Sequence, residues 1–462
     1  MLHRLPVPFP LSALLLLPAL AAQDGGSTFG HARARELAEL GLLPTARDVV
    51  VRDLVNYHRH RLPLPKAGEA VALDLRFDRA ATAFGDEVWL QVGYTTAPQG
   101  DRALAAPCAV ALVVDTSGSM GEAGKMTAVQ AGLRAFVERL RPDDQVAVVG
   151  FDNEATVRER LRPRGDGAWL RAAIDRLAPG SGTNLHAGLM LGLDELSRRP
   201  DGIDSRRVLL LTDGIANQGV TDPNQILADA QRRAETTIDI ATIGVGENLD
   251  AALLQRLADG SRGLFHFVAD SQDVAKVFVA EAEALLCPVA RRVSLRVTLP
   301  RSFEVLDVLH EGARLEDSAF DLALPDLNAG ATGVVMVRCR QQRNGGAAAR
   351  AQAELTFVAA ASRSHQRLAA DAEIPIGERN AATPDVEVRK HAAIATLARG
   401  LATMAGACDA RRWADAERAL RAASNDAERL FPGADEDVQR VRDIAAGHLR
   451  TLRRYVDRFR DF

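Results

Sequence analysis

Two hydrophobic periods alternate along this chain, and their order sketches its architecture. Val71, Leu73, Leu75 and Phe77 recur at every second residue, as do Val88, Leu90, Val92 and Tyr94, with a turn region at Gly85-Asp86 between them. A period of two predicts half-buried strands. The alternation returns only after residue 290, in Val293, Leu295, Val297 and Leu299, then near Val335 and from Leu355 to Phe357. Two strands cannot bury a core alone, so both sets read as one β-sandwich whose parts, residues 66–107 and 287–380, flank an insertion.

The inserted segment, residues 108–286, has a different rhythm. Short continuous apolar runs at Ala109–Val114, Val146–Phe151, Val208–Leu211, Ile238–Val245 and Leu264–Val268 read as buried strands. Stretches with helical spacing alternate with them: Met126–Leu140, Trp169–Leu177, Leu185–Leu196, Asn224–Ala234, Ala251–Leu257 and Asp273–Leu286. That succession predicts a doubly wound α/β domain, its sheet covered by helices on both faces. In such a sheet the ligand site lies beyond the carboxyl ends of the strands.

The flanks are helical. Residues 23–65 form a lead-in with helical pieces at Ala32–Leu40 and around Val50–Tyr57, ending in Leu62-Pro63-Leu64-Pro65. Residues 385–462 carry stripes at Ile394, Leu397, Leu401 and Met404, at Trp413, Ala416 and Leu420, and at Val438, Val441, Ala445, Leu449 and Leu452. Three packed helices, broken near Cys408 and at Phe431-Pro432-Gly433, account for them.

Composition narrows the function classes. The 462 residues are 47% apolar and carry 57 Lys plus Arg against 61 Asp plus Glu, a formal net charge of −4. Without a basic excess, nucleic acid is not an expected partner. Residues 1–22 place Arg4 before the apolar Leu11–Leu20 and the small pair Ala21-Ala22, the pattern of a cleavable signal peptide. The run is about half of the ~20 residues a bilayer span needs, and no later segment is apolar for long enough. The expectation is an exported protein, periplasmic or secreted, with no membrane span. Cys108, Cys287, Cys339 and Cys408 allow three disulfide pairings. A Cys108–Cys287 bridge would close the inserted domain at its base; buried free thiols are the alternative.

Candidate chemistry collects on three loops. The first predicted strand of the insertion ends in Asp115-Thr116-Ser117-Gly118-Ser119-Met120, and another ends in Thr212-Asp213-Gly214. Gly180-Ser181-Gly182-Thr183-Asn184 adds a hydroxyl at a helix start. These loops offer only oxygen donors, a set that suits Mg²⁺, or Ca²⁺ or Mn²⁺, and does not select zinc or copper.

In this order and spacing the residues resemble the metal-ion-dependent adhesion site of von Willebrand factor type A domains. Asp115, Ser117 and Ser119 match its D-x-S-x-S, Thr183 its isolated threonine and Asp213 its T-D-G aspartate. The segments Val51–Tyr57, Ala216–Asp222 and Gly263–Phe267 are further similar to a bacterial exported family labelled after calcium-activated chloride-channel homologues. The resemblance implies a Rossmann-like domain in which Ser117, Ser119 and Thr183 hold a divalent cation directly, while Asp115 and Asp213 act through water. It also implies a protein partner whose Glu or Asp completes the coordination shell, and an affinity switch in related domains through the last helix, here Asp273–Leu286.

The alternatives are a structural envelope protein whose metal rigidifies loops and a metal-dependent hydrolase. Against the hydrolase, no motif attaches a base to Ser117, and His186 follows Thr183 on a predicted helix. Gly121, Gly124 and Lys125 fail the phosphate-loop pattern at Ser119 and Met126. His58-x-His60 supplies two ligands, too few for a metal site, and reads as solvated histidines beside Arg59 and Arg61.

Overall fold

The computed structural model describes residues 29–458 except 59, 98–106, 199–202, 204, 235–236, 247–248, 262, 269–276, 279–287, 343–346, 361 and 378–383. The chain enters through α1 (Phe29–Leu40) and α2 (Val51–Val55) and lays down β1 (Val71–Phe77) and β2 (Glu87–Thr96). The insertion follows as β3 (Cys108–Asp115), α3 (Lys125–Arg139), β4 (Gln145–Phe151), β5 (Ala155–Pro163), α4 (Ala168–Asp175), α5 (Leu185–Ser197), β6 (Ser205–Thr212), α6 (Pro223–Ala234), β7 (Asp239–Val245), α7 (Ala251–Gly260) and β8 (Phe265–Val268). The chain then returns through β9 (Pro288–Thr298), β10 (Phe303–Val308), β11 (Arg314–Glu316), β12 (Ala319–Ala323), β13 (Leu327–Asn328), β14 (Thr332–Gln341), β15 (Ala348–Ala359) and β16 (His365–Pro375). It closes with α8 (Val386–Asp409), α9 (Trp413–Leu430) and α10 (Glu436–Arg458).

The inserted sheet runs β5-β4-β3-β6-β7-β8. Its neighbours are parallel except β5, which pairs antiparallel with β4 at the edge. Central β3 is buried at every position. Val110, Leu112 and Val114 pack with Val129, Leu133 and Phe136 of α3, and Ala111 and Val113 with Leu189 and Leu193 of α5. A side chain at Gly192 would strike Val113, so the glycine lets α5 lie close on the sheet. Burying each such Val, Leu or Phe contributes about 1.5–3 kcal/mol. This two-sided packing fixes the carboxyl end of β3 and so the position of Asp115.

The sandwich is assembled from both sides of the insertion, as the alternation predicts. One sheet runs β1-β2-β14-β10 and the other β11-β12-β9-β15-β16, with β13 on β9. Val88, Leu90, Val92, Val335 and Val337 face the second sheet. The strands expected to be half-buried are not all so: β2 and β14 are covered on their other face too, where Trp89, Val334 and Met336 meet the terminal helices. The lead-in shares that core, since Val51, Leu54 and Val55 pack with Ile394, Leu397 and Leu401 of α8. It is a component of the helical layer.

Other expectations need correction. Edge strand β5, antiparallel to β4, is absent from the strands expected of the insertion. Cys108, Cys339 and Cys408 are buried free thiols, the alternative weighed for them; Cys287, and with it the suggested Cys108–Cys287 bridge, lies outside the described residues. Residues 1–22 and most of Asp273–Leu286 lie outside them as well, although Phe278 is fully buried against Phe136. Among the described residues, no helix is long and apolar enough to cross a membrane.

Candidate metal centre

Three loops meet at the carboxyl edge of the inserted sheet, and their backbone is tied down before any side chain is considered. Thr116 donates its amide and its hydroxyl to the carbonyl of Phe151, at 2.8 and 3.0 Å, anchoring the first loop to the end of β4. The Gly118 amide donates to the Ser181 carbonyl at 2.8 Å, joining the first loop to the one that carries Thr183. A Cβ at Gly180 would displace the Asp152 carboxylate and stand 3.2 Å from the Thr116 carbonyl, so the two loops approach closely there.

The side chains then form one chain of contacts. Buried Asp115 accepts from the Thr212 hydroxyl at 2.6 Å through Oδ2 and from the Ser117 amide at 2.8 Å through Oδ1. Ser117 Oγ lies 3.1 Å from Ser119 Oγ, and Ser119 Oγ donates to Asp213 Oδ1 at 2.8 Å. Thr183, buried on the neighbouring loop, sets its Oγ1 3.5 Å from where a Cβ on Gly214 would stand. The structure thus brings Asp115, Ser117, Ser119 and Asp213 into one hydrogen-bonded group, with Thr183 beside Gly214 of the third loop.

Three further residues take part that the sequence did not single out for the site. Lys125 Nζ donates to Asp213 Oδ2 at 2.7 Å and places a positive charge on the site's rim. Asn217 Oδ1 accepts from the Thr183 amide at 2.8 Å. Asn153 holds the same loop from the end of β4, accepting from the Gly182 amide at 3.1 Å and donating to Ser181 Oγ at 2.6 Å. Asn217 sits within the segment quoted for the family resemblance, a signal that could have marked it. Asn153 and Lys125 carried no such signal. His186 is engaged elsewhere, 3.0 Å from Asp229 on α6.

Electrostatics favour a cation here. Burial pushes the Asp115 carboxyl up to about 6, with the negative Asp213 adding to the shift and hydrogen bonds from Thr212 and Ser117 opposing it. A buried carboxylate beside another is costly unless a positive charge compensates. Two carboxylates and three hydroxyls, with no sulfur or imidazole in the group, match a hard divalent ion. Ser117, Ser119 and Thr183 would hold it, and Asp115 and Asp213 would supply the negative field; the ion would supply an acceptor position for an anionic oxygen.

A doubly wound sheet inserted in a sandwich, with a D-x-S-x-S loop, an isolated threonine and a T-D-G loop at its carboxyl edge, defines a von Willebrand factor type A domain protein. Residues 109–280 match the family model of the von Willebrand factor type A domain, and this chain carries that domain. It is 28% identical over 278 residues to the uncharacterised protein YfbK of Escherichia coli K12, covering 58% of this chain and 48% of that protein. It is 26% identical over 197 residues to inter-alpha-trypsin inhibitor heavy chain H2 of Mus musculus, covering 40% of this chain and 20% of the relative. The chain therefore spans about half or less of the length of these curated relatives. A solved von Willebrand factor type A protein from Catenulispora acidiphila superposes with a TM-score of 0.58 over 81% of this chain and 96% of its own, at 16% identity, a likeness of fold. The chloride-channel label gains no support from these matches.

Proposed function

We propose that the chain is a metal-dependent protein-binding module, in which a divalent cation at the carboxyl edge of the inserted sheet captures an acidic side chain of a partner. Domains of this family are mainly interaction modules, and the finer reading rests on one observation. Two buried carboxylates and three hydroxyl side chains from three loops lie together, with only Lys125 among the contacts given above supplying positive charge. Hydroxyl ligands leave a bound Mg²⁺ strongly positive. A partner's Glu or Asp then displaces a water from it and completes the shell. The rim supports a protein partner: Ile215, two residues past Asp213, is 59% exposed, an apolar contact beside a charged one. The same reading places the protein outside the cytoplasm after removal of residues 1–22, a point that N-terminal sequencing of the mature protein tests.

Calorimetry with Mg²⁺ tests the site. The unaltered chain should bind one equivalent, lost in Asp115→Ala and in Thr183→Ala while far-ultraviolet circular dichroism is retained. Equal binding in all three proteins would refute the assignment. Mn²⁺ or Ca²⁺ in place of Mg²⁺ identifies the preferred ion.

A further inference from the structure

His58 and His60 are not solvated as their sequence context predicts. His60 is 4% exposed, and the fold brings to it His391, from α8, which is 1% exposed. One ring nitrogen from each of His58, His60 and His391 falls within a group whose members all lie within 4.8 Å of one another. The rings crowd accordingly, with centroids of His60 and His391 4.6 Å apart and those of His58 and His60 4.8 Å apart.

The surrounding amides settle which nitrogens face inward. Asn56 Nδ2 donates to the carbonyls of Arg52 and Val334, at 3.1 and 3.2 Å, while its Oδ1 accepts from the Val334 amide at 2.8 Å. Its oxygen is therefore the atom that lies 2.9 Å from His60 Nε2, and that nitrogen must carry the proton. The lone pair of His60 is left on Nδ1, aimed at His391 Nε2 3.0 Å away. On the far side of His391, Nδ1 lies 2.6 Å from Gln91 Oε1, so it too is the protonated nitrogen and its lone pair also points inward. Two imidazole lone pairs then confront each other, and His58 Nε2 is buried with no partner among the described residues. Only a positive centre, or rotation of the Gln91 amide to protonate His391 the other way, removes that conflict.

We propose that His58, His60 and His391 form a second metal site, one for a zinc-class transition-metal dication, that fastens the lead-in and the terminal helices to the sandwich. Imidazole selects such ions over Mg²⁺ or Ca²⁺. Outer nitrogens donating to Asn56 and Gln91 are the arrangement that orients histidine ligands and raises their basicity. The nearest fixed charges balance: Lys390 Nζ is held by Asp437 at 2.7 Å and Asp435 at 3.1 Å, and Arg440 pairs with Asp437 at 2.5 Å. With Zn–N near 2.0–2.1 Å, tetrahedral ligands stand about 3.3 Å apart, so the His60–His391 pair is already close and a modest closure of His58 completes three ligands. Water fills the fourth position.

The site is separable from the oxygen loops, and the experiment uses that. Metal-stripped full-length Asp115→Ala protein is titrated with Zn²⁺ by calorimetry and with Co²⁺ by visible absorption. One equivalent of Zn²⁺ is expected, with Co²⁺ giving tetrahedral d–d bands that Zn²⁺ bleaches. Adding His391→Ala should weaken zinc at least a hundredfold, and adding the half-buried His58→Ala at least tenfold with the fold intact. No cobalt bands in the protein with all three histidines, or zinc binding unchanged by both histidine variants, would overturn the proposal.

Discussion

The two proposed cation centres of this molecule are opposites in construction. At the edge of the inserted sheet, the donors are hydroxyls and carboxylates on loops, the carboxylates are buried, and the charge awaiting compensation is negative. At the junction of sandwich and helices, the donors are neutral imidazoles on a lead-in and a helix, with local charge already balanced by Lys390 and its aspartates. A site of the first kind leaves its ion strongly positive and is suited to capturing an anion from outside. One of the second kind leaves a softer, enclosed ion and is suited to holding chain segments together. Charge and donor type, more than the presence of a metal, separate a binding site from a fastener.

The contrast can be broken first through packing. Ile394 is fully buried in the core shared by the lead-in and the terminal helices. Ile394→Ala should cost about 2–5 kcal/mol, read as a lower denaturation midpoint, and should weaken zinc binding while leaving the Mg²⁺ affinity nearly unchanged. Equal damage to both affinities would show that the two centres are mechanically one.

Acid should separate the regions next, because their buried groups shift in opposite directions. Burial, helped by nearby arginines, pushes His31 down to about 3, and His58, His60 and His391 are lowered as well. A histidine depressed in the folded state takes its proton more readily when unfolded. The helical layer is therefore fully stabilised above about pH 6.5 and loses stability as pH falls toward 3. In the inserted domain, burial raises Asp115 to about 6 and Asp239 to about 7, the latter opposed by Arg207. Their contribution is complete below about pH 4 and declines as pH rises through 6 to 7 in metal-free protein. Hydrogen exchange at pH 5 and pH 7.5 should show α8 and α2 losing protection at the lower pH while β3 and β6 do not.

A smaller effect sharpens the electrostatics of the oxygen site. Lys125 neutralises Asp213 without a metal and repels an arriving dication. Lys125→Met should tighten Mg²⁺ by about tenfold, ~1.4 kcal/mol; weaker binding would mean that Lys125 positions Asp213 more than it competes. Smallest of all, Arg296→Ala removes a salt bridge to Asp321 between two half-exposed side chains. It should change the unfolding free energy by less than ~1 kcal/mol and leave both metals unaffected.

These differences also decide what could be read from the chain. The oxygen site was legible because a parallel strand delivers its loop to one edge of the sheet, so contiguous motifs at Asp115 and Asp213 suffice to place the donors. The proposed histidine site was not, because His60 and His391 are 331 residues apart and are brought together by the packing of the lead-in against α8. The period-two stripe on β2 marked its sandwich face correctly. It said nothing of Trp89 and Gln91 on the other face, whose cover comes from distant helices. Strand β5 escaped notice because its alternation is thin: Ala155, Val157 and Leu161, interrupted by half-buried Glu159, face inward between exposed arginines, a weak stripe beside the continuous runs of the inner strands.

The central claim is an ion held by the three hydroxyls. A crystal structure of the full chain grown with Mn²⁺ tests it most directly through the anomalous signal. The account predicts one peak within about 2.3 Å of Ser117 Oγ, Ser119 Oγ and Thr183 Oγ1, with an exchangeable water or carboxylate on its outer side. A well-ordered loop cluster with no peak there, at a Mn²⁺ concentration that saturates calorimetric binding, would contradict it.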